Sequence, residues 1–150
     1  MIEPRSVARW NRTAGVVLAV MAGLAPAACH GDKGVNDPAN ELPFGALDFP
    51  VQGAQVKAES PVAGWVLDDR GVQQVRVYVD GHLINSGGLT QERPDVSKVF
   101  PQYARGTHKH GFLMLMGFDA PGPHVVIIQA VDSDGATRDI GVVNVVAIDK

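Results

Sequence analysis

The stretch that decides the fold is VQQVRVYVDGHLIN, residues 72–85. Val75, Val77 and Val79 alternate with Gln74, Arg76, Tyr78 and Asp80, the period-two pattern of a strand with one buried face. Asp80-Gly81 then makes a hairpin turn into a second strand over His82–Asn85. Working outward, further strand-like runs occupy Val62–Leu67, Gly111–Phe118, His124–Val131 and Asp139–Ile148, separated by the turn sequences DDRG, DAPGP and DSDG. No segment offers a helix of useful length. Several short strands with turn signals between them, packed into roughly 100 residues, predict an all-β chain: an antiparallel two-sheet sandwich of about seven strands.

The same residues carry a resemblance. Gly64-Trp65-Val66-Leu67-Asp68-Asp69, then Gly71 through Val79-Asp80-Gly81, is similar to the G-W-A-x-D, G-V, V-x-V-x-V-D-G pattern of bacterial immunoglobulin-like modules. The likeness continues, in order, through Arg93-Pro94-Asp95-Val96, Phe100-Pro101, Gly111-Phe112, Gly122-Pro123-His124 and Asp132-Ser133-Asp134-Gly135. It implies an immunoglobulin-like β-sandwich over residues 46–150 and the role such modules have in surface and secreted proteins, that of accessory parts without catalytic residues of their own.

The N-terminal residues 1–28 read as a signal peptide. Arg5, Arg9 and Arg12 give a positive start, Ala14–Leu24 an apolar stretch, and Ala25-Pro26-Ala27-Ala28 a run of small residues that a signal peptidase can cut. The apolar run is shorter than the roughly 20 residues needed to span a bilayer. Small residues followed directly by the chain's single cysteine, Cys29, resemble the lipobox of bacterial lipoproteins, with Pro26 standing where that family usually has Leu. The resemblance implies that Cys29 is lipidated and anchors the protein in a membrane of the cell envelope, the outer membrane being favoured because His30, not Asp, follows. The rival is cleavage after Ala27, which leaves a secreted, unlipidated chain. Residues 29–45, rich in Gly, Pro and Asn without an apolar period, read as a flexible tether.

Composition excludes several classes. Thirteen Lys and Arg stand against 16 Asp and Glu with no long run of either sign, which argues against a nucleic-acid partner. One cysteine cannot form an internal disulfide. Ser60, Ser86, Ser97 and Ser133 lack the context of a catalytic nucleophile, so no enzyme and no cofactor is expected.

The candidate site residues each have a plain reading beside a functional one. Trp65 reads as core packing. Arg93 and Asp95 read as a clasp that pins a loop, or as a loop binding site. Asp68, Asp69, Asp132 and Asp134 stand in turns, where Asp caps its own backbone, or where clustered carboxylates hold calcium. His108 and His110, two apart, share a metal only if the chain is extended there and other ligands join them. In Gly111–Phe118 both faces are apolar: Phe112, Met114, Met116 and Phe118 face the core, so Leu113 and Leu115 face outward. They are covered by the segment Arg93–Arg105, the favoured reading, or they form a partner surface. The expected function is that of a non-catalytic envelope lipoprotein, a binding or assembly module for a protein or cell-surface glycan. The alternative is a secreted domain that binds calcium or carbohydrate through its loops.

Overall fold

A computed structural model describes residues 38–148, so the expected signal peptide, Cys29 and most of the expected tether lie outside the described residues. The strands are β1 (Phe44–Phe49), β2 (Gln55–Lys57), β3 (Glu59–Leu67), β4 (Val72–Val79), β5 (His82–Gly87), β6 (Gln91–Glu92), β7 (Lys109–Gly117), β8 (Gly122–Asp132) and β9 (Thr137–Ile148). They form a four-stranded sheet, β1-β3-β7-β6, and a five-stranded sheet, β2-β9-β8-β4-β5. This is the expected two-sheet β-sandwich, with nine strands where about seven are expected.

The decisive stretch folds as read. Val75, Val77 and Val79 of β4 are buried while Gln74, Arg76 and Tyr78 face out. Asp80 and Gly81 both take positive φ, 50° and 82°, the backbone of a tight primed turn between β4 and β5. Opposite β4, the inward side chains Val62 and Val66 of β3, Phe112 and Met116 of β7, Val126 and Ile128 of β8 and Val145 of β9 close one apolar interior. Each such side chain contributes about 1.5–3 kcal/mol on burial, which lets the sandwich stand on packing without a cross-link.

Three other features differ from expectation. The pairing is not wholly antiparallel, because β2 joins β9 in parallel after the chain leaves β1 and crosses to the other sheet. Pro94–Val99 is a six-residue helix, α1, started by Pro94 in its first turn and followed by a single 3-10 turn at Pro101–Tyr103. The expected tether 29–45 runs too far: Asn40 Nδ2 donates to Asp132 (2.7 Å), Glu41 accepts from Tyr103 OH (2.8 Å), Pro43 is buried and Phe44 opens β1. These short polar and aromatic anchors act across the sequence, so no local periodicity reports them.

Candidate functional site

On the outer face of the four-stranded sheet, strand register places apolar side chains in rows. Phe49, Ala63 and Leu113 are neighbours across β1, β3 and β7, and Pro61 lies beside Leu115. Because Phe112 and Met116 point into the core, Leu113 and Leu115 must point out. They are 52% and 53% exposed. The cover expected from Arg93–Arg105 is not over them. That segment lies over Trp65 instead, and Trp65 is half-buried on the outer face, not in the sandwich core. The reason is Gly64: a Cβ there would come 2.7 Å from the Phe112 ring, so glycine takes the inward position and the adjacent indole goes outward.

The covering of Trp65 is a built unit. Phe44 packs edge-on against Trp65, Phe100 and Tyr103 at centroid distances of 6.2, 5.5 and 5.0 Å, and Trp65 meets Phe100 at 5.7 Å. Gly111 lets the chain cross close to β7, since a Cβ there would come 2.9 Å from that of Gln91. Arg93 then fastens the segment: its Nη1 donates to Asp48 of β1 at 2.6 Å, and its Nε and Nη2 fork onto Asp95 at 3.0 and 2.8 Å. The guanidinium holds the Asp95 carboxyl below the usual carboxylate range and is itself held protonated. Arg93 thus holds both Asp95 and Asp48, the contacts a clasp makes.

At one end of the sandwich two acidic turns interlock. Asp68 Oδ1 accepts from the amides of Arg70 and Gly71, and Asp132 Oδ1 from those of Asp134 and Ala136. Ser133 binds the Gly71 carbonyl through its amide and its hydroxyl, and Arg70 pairs with Asp134 at 2.6 Å. The structure therefore brings Asp68, Asp69, Asp132 and Asp134 to one place, chiefly as turn formers. Burial, joined by the nearby Asp132 and Asp69 charges, pushes the Asp68 carboxyl up. Three buried oxygens there, Asn40 Oδ1, Asp68 Oδ2 and Asp69 Oδ1, have no hydrogen-bond partner. Among the described residues no group of three His, Cys, Asp or Glu side chains is arranged to hold a metal.

Sequence reasoning missed the cleft beside that end. Leu67, Asp68, Val72, Leu89, Tyr103 and His110 are among the residues that line a cavity of about 280 Å³. His110 is 4% exposed with Nε2 unpartnered, and burial lowers its pKa. The extended backbone that a metal shared by His108 and His110 requires is interrupted. A turn in which the His110 amide bonds back to the His108 carbonyl breaks the alternation, and His108 is exposed with Nδ1 against Ser97 Oγ at 2.8 Å. Asp68 and His110 are remote in sequence, so only the fold could bring them to one cleft.

No protein-family model and no curated protein matches the chain. Solved structures do resemble it. An endo-β-1,4-mannanase from Thermotoga petrophila superposes with a TM-score of 0.50 at 12% identity, over 73% of this chain and 20% of that one. Fibronectin(III)-like modules of Clostridium thermocellum CbhA give 0.48 at 17%, over 72% and 47%. Dimeric latent PorU from Porphyromonas gingivalis gives 0.48 at 13%, over 85% and 11%. The chain thus spans less than half of each of these structures, and at such identities the likeness is one of fold: a two-sheet β-sandwich.

Proposed function

We propose that this chain is a non-catalytic binding or assembly module of the bacterial cell envelope, held to a membrane by a lipid on Cys29, that meets a protein partner through the bare half of its four-stranded sheet. The observation that carries the reading is the exposed, in-register apolar set Phe49, Leu113 and Leu115, on a face whose other half the chain covers itself. An exposed apolar patch on a sheet is a liability for a domain that meets nothing, and is the ordinary signature of a contact surface. Two measurements test it. Cells expressing wild type or Cys29→Ala and fed a clickable palmitate analogue should show label and membrane association in the wild type alone. In the same cells, Leu113→Thr with Leu115→Thr should leave a folded, membrane-bound protein that no longer migrates in a larger native complex; a wild type that migrates as a free monomer overturns the reading.

A second reading has its own observation. The three unpartnered oxygens of Asn40, Asp68 and Asp69 are the hard donors that calcium takes, and they support a secreted, unlipidated domain acting through calcium or carbohydrate at its loop end. A ligand that binds only the folded state must raise its melting temperature, so a melt unchanged across a wide calcium range removes the calcium version.

A further inference from the structure

At the end of β8 the ring of His124 is clamped between two acceptors. Its Nδ1 lies 2.6 Å from Asp80 Oδ2, and its Nε2 lies 2.8 Å from the backbone carbonyl of Ala120. A neutral imidazole has one N–H and so can satisfy one of them; only the imidazolium donates to both. The clamp ties two turns together. Asp80 belongs to the β4–β5 hairpin and also accepts from the Val125 amide through Oδ1 at 2.9 Å, while Ala120 belongs to the turn between β7 and β8. The ring lies on Phe118 with centroids 5.0 Å apart.

We propose that His124 is a proton-operated latch that holds the Asp119–Pro121 turn against the β4–β5 hairpin while the ring is charged and lets that turn go when the ring loses its proton. The neutral ring keeps its remaining N–H on the carboxylate of Asp80, the stronger acceptor. Nε2 then faces the Ala120 carbonyl lone pair to lone pair, and the turn is pushed away. Asp119 and Ala120 line both the small cavity next to the ring, with His82 and Ile84, and a second one of about 440 Å³ formed with Ala58, Phe118 and Ala147. Moving this turn changes the wall the two cavities share.

Among the described residues, the charged and titratable groups that share the cavity with the ring are Asp80 from the hairpin, Asp119 from the turn and His82 from β5. The hydrogen bond to Asp80, with that to Ala120, raises the pKa of His124, and the Val125 amide and His124 lower that of Asp80. A raised imidazole pKa means that the latch is fully set below the ordinary value of 6.5 and opens as pH climbs through the higher folded value. Asp80 limits it on the acid side, below pH 3.8.

Nuclear magnetic resonance of the full chain tests this directly, by following the His124 ring nitrogens and the amides of residues 119–125 against pH. The expected result is a ring midpoint above 6.5, both ring nitrogens protonated below it, and the Ala120 and Gly122 amides shifting with the same midpoint. Asp80→Asn should bring that midpoint back toward the ordinary value. A wild-type midpoint at or below 6.5, or turn amides that ignore the ring's titration, overturns the latch whether or not the variant folds.

Discussion

Over Trp65 the outer face of the four-stranded sheet is roofed by α1, the 3-10 turn and three other aromatic rings; over Leu113 and Leu115, two and four residue pairs along the same strands, it is bare. Both halves are apolar, so hydrophobicity alone does not decide which is covered. Anchors decide it. Gly111 opens a path across β7, Arg93 fixes the crossing chain to Asp48 and Asp95, and Pro94 starts a helix whose Val96 is buried. Among the described residues nothing comparable stands beside Leu113 and Leu115, where Asn85 Nδ2 on the carbonyl of Leu115 is a contact at the sheet edge.

The sharpest way to break this contrast is to remove the centre of the covered half. Trp65→Ala should cost about 3 kcal/mol, since a large aromatic side chain leaves a cavity its neighbours cannot fill, and lower the melting temperature by roughly 10 °C. A melt indistinguishable from wild type would mean that the roof rests on its polar clasp and that the aromatic rings are passengers.

Next in size is the interlocked turn that borders the cleft beside the roof. Asp132 is fully buried and its carboxylate serves the amides of Asp134 and Ala136 and the side chain of Asn40. Asp132→Ala strands those donors and should cost about 2 kcal/mol in urea unfolding, with no change in slope. Asp132→Asn, which keeps the Oδ1 acceptor, should lose less.

Asp68 is the smaller and opposite case. Its carboxyl is raised by burial and by Asp132 and Asp69, so its contribution to stability is fully present below the unfolded value of 3.8 and is lost as pH rises through the folded one. At neutral pH the ionised group is therefore a cost. Asp68→Asn keeps an oxygen for the Arg70 and Gly71 amides and removes the charge. It should raise the melting temperature at pH 7, with the gain fading as pH falls toward 3.8; a loss of stability at pH 7 would show that a cation or donor compensates the charge.

How much of this was legible follows from where parity is visible. In β4, polar residues alternate with valines, so the buried face, the hairpin and the sandwich could be read. In the run Val62–Leu67 apolar residues occupy both parities, and the face of Trp65 is set by the fit of Gly64 beneath Phe112, a contact between strands. The clasp was legible because Arg93 and Asp95 are two apart, but Asp48, its third member, is 45 residues away. The turn acids announced themselves through Gly and Asp spacing, whereas the cleft of Asp68 and His110 and the bridge from His124 to Asp80 arise from strand order, which no local pattern encodes.

The bare half supplies the test with the smallest effect on folding and the largest on function. In Leu113 and Leu115 about half of each side chain is already in water, and Thr suits an exposed strand position at least as well as Leu. Replacing both should therefore move the unfolding free energy by no more than about 0.5 kcal/mol. If the covered and bare halves differ as proposed, this double variant keeps its melting temperature and loses its complex, while Trp65→Ala loses its melting temperature first. A double variant that fails to fold would mean that the two leucines are held by packing within this chain, and the contrast between the halves would be one of degree.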